Sequence, residues 1–309
     1  MSETTGRVSA GTAALLTLPP LLWAGNAVVG SLVVGRIPPL TLNALRWTIA
    51  LVLLLPLGGW RVLAHPRALL ERWRYFASVG FFGIGCYNAF QYLALATSSP
   101  INVTLIAASM AVFMLLVGWI FYRVVPRPSQ ALGAALSLAG VGFVLSRGEL
   151  ATLLALRFVP GDLFMLLASL AWSIYSWQLA RPPASMRAPA RPDWNWAQFL
   201  AAQLVFGATW ACIAAAIEQS FVKTPIPRTP EIAGALAYVA IGPAIVAYYA
   251  WGKGVGRVGP TLAALFSNFT PLFAALLSLA LLGQAPHWYH GVAFVLIAVG
   301  VAIPALRTR

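Results

Sequence analysis

Amide, hydroxyl and aromatic side chains interrupt the long apolar stretches of this chain, and they are the groups able to bind a solute. The stretch LLWAGNAVVG, residues 21–30, carries Trp23 and Asn26 three positions apart, so both side chains share one face of a helix. An amide buried among apolar groups must find a hydrogen-bond partner or destabilise its own helix. The sequence therefore predicts that Asn26 bonds either to a bound solute or to a neighbouring helix.

Similar stripes recur at helical spacing in other apolar stretches, as in YNAFQY at residues 87–92. A wall of aromatic rings with a few amides suits a neutral or zwitterionic organic solute. Interhelical hydrogen bonds, worth about 1 kcal/mol each, would also satisfy these groups, so both interpretations stay open for each residue. The candidate residues of a central cavity are Trp23, Asn26, Arg46, Tyr87, Asn88, Gln91, Trp172, Tyr175, Ser176, Tyr248, Trp251, Ser267 and Asn268.

Arg46 is the one basic residue placed well inside an apolar stretch, where a lone charge is costly. Acidic residues do not occur in the middle of any stretch, and Glu218 and Glu231 lie at the ends of theirs. Arg46 must therefore use backbone carbonyls, amides, water or a substrate anion. A structural clamp between helices and the capture of a substrate carboxylate are the two interpretations.

The sequence gives little indication of catalysis, because no two His, Asp or Glu residues have a spacing that would bring them together in one site. His287 and His290 have the spacing of a metal pair but no third ligand nearby, so we expect no metal and no cofactor. The chain is predicted not to be an enzyme. An intramembrane lipid-modifying enzyme and a non-transporting scaffold are the alternatives from other classes.

The elements that carry these residues are transmembrane helices. Of the 309 residues, 60% are hydrophobic and 9% charged, against about 25% charged in soluble domains. Ten apolar stretches approach the roughly 20 residues that cross a bilayer as a helix. They lie near 11–34, 38–57, 74–96, 100–122, 129–146, 160–180, 197–218, 231–251, 260–282 and 287–305.

The net charge of +13 reflects topology and gives no reason to expect a nucleic-acid partner. Most Lys and Arg residues lie in the connections that share one side of the membrane with both termini. By the positive-inside rule, the N- and C-termini are then cytoplasmic. The expected location is the bacterial inner membrane, with the lipid bilayer as partner and a monomer as the expected state.

The chain repeats itself. Residues 87–143 align with 247–303 without a gap, and LLWAGNAV resembles LAWSIYSW, which pairs Trp23 with Trp172. Two five-helix units, 1–147 and 157–309, follow, and the odd helix number inverts the second one. Inverted repeats of this kind are typical of transporters. Pro19 and Pro20 should kink or break the first helix, and we consider them a hinge.

The residues LLWAGNAVV (21–29), PLTLNALRW (39–47) and QYLALATSSPINVTLIAASMAVF (91–113), with their counterparts GVGRVGPTLAALFSNFTPLFAALLSLALLGQ (254–284), resemble the EamA-type branch of the drug/metabolite transporter superfamily. The resemblance implies ten helices, and it is closest to amino-acid exporters, in particular aromatic amino-acid exporters. Members often carry a Glu after the fourth and ninth helices. Here FYRVV and Gln284 stand at those places, so that Glu has no role in this chain.

Taken together, the sequence predicts an alternating-access exporter of amino acids or similar small neutral or zwitterionic metabolites. Without a mid-membrane carboxylate, gradient-driven efflux is expected. The alternative within the class is a proton-coupled exporter of other small metabolites or drugs.

Overall fold

The structure, a computed structural model, describes residues 10–149, 159–267 and 269–306, and across these residues it contains helices, turns and bends but no strand. Proline or a capping side chain starts many of the helices. Ser99 accepts a hydrogen bond from the backbone of Asn102, and Pro100 follows at the first helical position. Asn195 and Gln198 form a capping box in the same way.

The α-helices follow one another through short connections. In chain order they are α1 Ala10–Val33, α2 Pro39–Leu54, α3 Trp60–Ala64, α4 Arg67–Leu70, α5 Trp73–Gly80, α6 Tyr87–Leu95, α7 Pro100–Ile106, α8 Met110–Tyr122, α9 Pro128–Leu145, α10 Pro160–Ala180, α11 Trp196–Val222, α12 Pro230–Ile241, α13 Ala247–Ser267, α14 Phe269–Leu282 and α15 Trp288–Leu306.

Six helical stretches in the described residues are long and apolar enough to cross a membrane, and three shorter apolar helices accompany them. The six are Ala10–Val33, Pro39–Ala64, Pro100–Tyr122, Pro160–Ala180, Trp196–Val222 and Pro230–Gly254. Large apolar side chains such as Phe121 and Phe221 are exposed on the outside of the bundle. Because water would penalise such a surface, a bilayer is the solvent that suits it.

Three π-helical segments occur in the described residues: Leu55–Gly59 follows α2, and the other two lie at equivalent places of the repeat. Phe81–Cys86 joins α5 to α6, and Gly242–Val246 joins α12 to α13. These are matching positions, because the repeat pairs residue 87 with residue 247. A π-helical turn breaks the regular backbone ladder and often occurs at functional sites.

Helices from the two parts of the chain pair reciprocally. α2 packs along α11, and α9 packs along α15. α1 packs on α13 and α14, whereas α10 packs on α6 and α8. When α1 is matched with α10, and α6 and α8 with α13 and α14, each part makes the same contacts as the other.

Two helices continue where a break was expected. α1 runs through Pro19 and Pro20 without interruption, so the predicted break is absent. Prolines are tolerated inside transmembrane helices where neighbouring groups supply the missing bonds, and here both prolines are buried and Thr17 donates to the carbonyl of Ala13.

α13 likewise continues to Ser267, through the connection expected between residues 251 and 260. The first unit stops its helix here with the Ser99 cap, and the repeat places Gly259, which has no capping side chain, at the matching position. A helix without that stop signal can run on.

Candidate functional site

A buried polar network joins three helices at the centre of the bundle. Asn26 on α1 donates to the side-chain carbonyl of Gln91 at 2.9 Å and accepts from the hydroxyl of Tyr92 at 2.7 Å. Arg46 on α2 donates through Nη1 to the Tyr92 hydroxyl at 3.2 Å and to the carbonyl of Asn88. We call these five residues, Asn26, Arg46, Asn88, Gln91 and Tyr92, the polar network. Each is almost completely buried.

The amides of the polar network form hydrogen bonds with side chains on other helices. Asn26 uses both its amide nitrogen and its amide oxygen in this way. Buried polar groups without partners are costly, so these hydrogen bonds favour one relative position of α1, α2 and α6. The side chains of the polar network therefore hold helices together directly.

Arg46 is held by neutral groups. Its guanidinium carbon lies 4.5 Å from the ring centroid of Trp47, a cation–π arrangement. Its Nε is buried without a hydrogen-bond partner, and only 1% of the residue is exposed. Of the partners that the sequence allowed, an amide is the one used in this conformation. The unpaired Nε leaves one donor of a buried cation unsatisfied.

Aromatic rings from four helices meet beside the polar network. The indole of Trp23 on α1 lies 6.5 Å from Trp172 on α10, 6.5 Å from Tyr248 and 5.6 Å from Trp251, both on α13. Trp172 also lies 4.7 Å from Tyr87 on α6. We call these five residues, Trp23, Tyr87, Trp172, Tyr248 and Trp251, the aromatic cluster. Unlike the polar network, each of them keeps a partly accessible surface.

This difference in burial separates the candidate residues into two groups. Rings arranged edge to face with part of their surface accessible can accept a further apolar or aromatic group. In the network, both ends of the Asn26 amide and the amide oxygens of Asn88 and Gln91 bond to protein groups. In this conformation the aromatic cluster keeps accessible ring surface, whereas the polar network is almost completely buried.

Two π-helical segments, Gly242–Val246 and Phe81–Cys86, contact aromatic residues at or beside the aromatic cluster. The indole nitrogen of Trp23 donates at 3.3 Å to the carbonyl of Pro243, inside one π-helical segment. In the other segment, Gly83 packs against the ring of Tyr175, and a methyl group built at Gly83 would collide with it. Residues 83 and 243 are repeat counterparts, so each π-helical segment contacts an aromatic residue of the helix that opens the other unit.

The remaining candidates are less central. Tyr175 lies 5.1 Å from Trp172 and donates to the side chain of Gln203 at 3.0 Å. Ser176 donates back to the carbonyl of Trp172 within its own helix at 2.7 Å. Ser267 is half-buried at the end of α13. Asn268 lies outside the described residues.

Three further residues belong to the surroundings of the site although the sequence pattern did not indicate them. Trp47 is fully buried, with its ring 5.9 Å from Tyr248. Tyr238 donates to the carbonyl of Leu22 at 3.2 Å, next to Trp23. Gln203 binds Tyr175. For Gln203, the sequence signal that could have indicated it is a side-chain amide inside the apolar stretch 197–218.

The histidine pair has a structural use. The backbone N–H of His287 donates to Nδ1 of His290 at 2.9 Å, so the proton of the neutral ring lies on Nε2. That nitrogen lies 3.0 Å from the side-chain oxygen of Asn102. His290 thus caps α15 and attaches it to α7.

Comparison with known proteins identifies the family of the chain. The model of the EamA-like transporter family matches residues 11–146 and again residues 159–305. A protein named uncharacterized transporter from Archaeoglobus fulgidus is 25% identical over 294 residues, which cover 95% of this chain and 96% of that protein. The aromatic amino acid exporter YddG of Ancylobacter novellus is 28% identical over 294 residues, covering 94% and 95%.

A solved crystal structure shares the fold. It superposes on this chain with a TM-score of 0.63 at 24% sequence identity, and the match covers 97% of this chain and 98% of the other.

Proposed function

The chain belongs to the EamA-like transporter family, and we propose that it exports amino acids or similar small neutral or zwitterionic metabolites by alternating access across the bacterial inner membrane. The relative named as an aromatic amino acid exporter supports this substrate class. The observation that carries the proposal is the aromatic cluster, in which Trp23 and Trp172, repeat counterparts, face each other at the centre of the bundle.

The cluster has the composition that such a substrate requires. Indole and phenol rings offer apolar faces to a side chain, and they offer N–H and O–H groups to a carboxylate or an ammonium. Arg46 lies behind the rings with its Nε unsatisfied. A substrate carboxylate that reached it would gain a charge-assisted hydrogen bond, but only if the Asn88 and Tyr92 contacts rearranged.

Alternating access is proposed from the reciprocal packing. The two units, 1–147 and 157–309, would be inverted relative to each other, in ten transmembrane helices with both termini in the cytoplasm. Two similar units that exchange their contacts can open the central site to either side of the membrane in turn. α1 and α10 carry the facing tryptophans, so movement of either helix changes access to the site. Pro19 and Pro20 lie in α1, about one turn before Trp23, and are proposed as the place where it bends.

Gradient-driven efflux is the coupling we propose. Asp162, the acid on α10, lies in its first turn and accepts a hydrogen bond from Ser98 at 2.9 Å. Glu218 and Glu231 lie near the ends of α11 and α12. Proton coupling would use a titratable group at the central site, and the polar network and the aromatic cluster contain no carboxylate.

The test is transport in reconstituted vesicles with a panel of labelled amino acids. Trp172→Ala and Gln91→Ala should reduce transport, whereas Trp119→Ala, on an exposed helix face, should not. Transport unchanged in Trp172→Ala would remove the aromatic cluster from the proposal, and no transport of any amino acid would remove the substrate class. Accumulation driven by an imposed pH gradient would replace gradient-driven efflux with proton coupling.

A further inference from the structure

Two clefts of equal size, each about 390 Å³, lie at positions related by the repeat. The first lies between the end of α1 and the start of α12. The second lies between the connection after α10 and the start of α5. In the topology proposed above, the first opens at the outer face and the second at the inner face. If the shifts of the repeat are extended, 149 residues as from Trp23 to Trp172 and 160 residues as from 87 to 247, residue 36 corresponds to 185, 71 to 231 and 75 to 235.

The outer cleft is lined by one charge of each sign. Arg36 and Glu231 are both exposed, and among the described residues no direct ion pair joins them. The wall between them is apolar and includes Val29, Val33 and Ile232. A guanidinium, a carboxylate and an apolar wall around one concave space match the three parts of an apolar amino acid: its carboxylate, its ammonium and its side chain.

The inner cleft differs from the outer cleft in the hydrogen bonds of its charged groups. The position matching Arg36 is Ser185, and the backbone carbonyl of Ser185 accepts from Nε of Arg72 at 2.9 Å. Arg72 also donates to the carbonyls of Ala68 and Ala190 and to the carboxylate of Glu71. The protein thus satisfies Arg72, one of the two arginines that line the inner cleft, and the other, Arg74, lies over the ring of Trp73. The outer cleft has no such described bond across it.

Tyr238 connects the outer cleft with α1. It lines the cleft, and its hydroxyl donates to the carbonyl of Leu22. The Tyr238 hydroxyl fills the space that a side chain at position 25 would occupy, which explains the glycine there. Trp23 lies between these two residues in sequence, so one tyrosine side chain separates the outer cleft from the α1 segment that carries the aromatic cluster.

We propose that the outer cleft is a second binding site, which takes a zwitterion: Arg36 binds the anionic group and Glu231 binds the ammonium. A free amino acid and the headgroup of phosphatidylethanolamine both carry this chemistry. Deepening the proposed function, the site would hold an exported amino acid between the central site and the outside. The binding chemistry itself does not require that transport occurs.

The experiment is equilibrium binding of labelled L-phenylalanine to the full chain in nanodiscs of phosphatidylglycerol. A Trp172→Ala background weakens the central site, so the remaining binding reports the outer cleft. On that background, Arg36→Gln and Glu231→Gln should each weaken binding about tenfold, since each removes one charge-assisted hydrogen bond. Glu71→Gln, the same change at the matching position of the inner cleft, should leave binding unchanged.

Two further arms test the pairing of charges and the source of the ligand. The swapped double variant Arg36→Glu/Glu231→Arg should recover binding that Arg36→Glu alone loses, because both signs are again present. 3-Phenylpropionate, which lacks the ammonium, should bind wild type more weakly and should not respond to Glu231→Gln. If phosphatidylethanolamine in the nanodisc displaces the phenylalanine, the zwitterion site stands with a lipid as its occupant.

Different results would overturn the outer binding site and the proposed function. Binding that Trp172→Ala abolishes outright, or that neither charge change alters in either membrane, overturns the outer site. Charge-dependent binding in a protein that transports no amino acid leaves the outer site standing and overturns the proposed function.

Discussion

The indole rings of Trp23 and Trp172 lie 6.5 Å apart with an interplanar angle of 72°, an edge-to-face contact between the helices that open the two units of the chain. Each of these two helices packs mainly on helices of the other unit. α1 packs on α13 and α14, and α10 packs on α6 and α8. The contact forms because the two units interlock. It therefore reports directly on how the units are placed relative to each other.

Trp23→Ala and Trp172→Ala should impair transport to a similar degree. Each removes a ring that contacts several others, and aromatic pairs contribute about 0.5–1.5 kcal/mol each, so we expect the KM for transport to rise about tenfold. Initial rates of labelled amino-acid efflux from vesicles measure this. Trp119→Ala is the control, since its ring is 57% exposed. A loss confined to one of the two tryptophans would argue against a shared site.

Tyr92→Phe should destabilise the protein without removing any ring of the aromatic cluster. The Tyr92 hydroxyl donates to Asn26 and accepts from Arg46, so its loss leaves a buried acceptor and a buried cation each short of a partner. The free energy of unfolding should fall by about 1–3 kcal/mol, as measured by thermal unfolding in detergent. Tyr249→Phe, at an exposed tyrosine, should be close to neutral. Equal stability of the two variants would mean that the network is not closed in solution.

Much of the fold follows from local sequence, since a helix in the structure overlaps each of the ten apolar stretches. Helical spacing also places Asn88 and Gln91 on one face, and both contribute to the polar network. The family resemblance is confirmed by the family model. These features depend on hydrophobicity and on neighbours three or four residues apart, which sequence displays directly.

The features that sequence could not provide depend on which helices pack together. Trp47 could anchor at the membrane interface or pack inside, and only tertiary structure places its fully buried ring against Tyr248. Tyr238 is the same case, because its partner is a carbonyl on α1. The π-helical segments have no clear local signal, although FFGIGC makes room for Tyr175 with a glycine. Whether an amide binds a solute or a helix is likewise a question of tertiary contacts.

Gly83→Ala should disturb the site from the backbone side. The added methyl group collides with the ring of Tyr175, which must move within a closely packed interior. Overpacking of this kind costs about 1–3 kcal/mol, and transport should fall with stability. Gly142→Ala is the matched control: space is open beside that helical glycine, so the change should be neutral or stabilising by up to about 1 kcal/mol. Unfolding temperatures of the two variants that shift together would contradict the prediction.

Glu218 holds the start of α2 to the end of α11. Its carboxylate accepts from the backbone of Leu40 and Thr41, at 3.0 and 2.7 Å, and from the Thr41 hydroxyl at 2.8 Å. Glu218→Gln removes the charge that suits a helix N-terminus and should cost about 1–2 kcal/mol of stability. Asp193→Asn makes the same charge change in an exposed connection and should shift stability by less than about 0.5 kcal/mol. Chemical unfolding in detergent compares the two, and equal effects would show that Glu218 contributes no specific bond.

The inversion of the two units can be tested at one pair of repeat counterparts. Arg127 precedes α9 and His287 precedes α15, the repeat aligns the two positions, and both are exposed. In an inverted arrangement they lie on opposite sides of the membrane, Arg127 inside and His287 outside. Arg127→Cys and His287→Cys are made in a background without Cys86 and Cys212, and cells are treated with a membrane-impermeant maleimide. His287→Cys should react in intact cells and Arg127→Cys only after permeabilisation, because five transmembrane segments separate the two positions in this topology. Labelling of both from the same side would mean that the repeats are parallel, and it would remove the alternating-access argument that rests on their inversion.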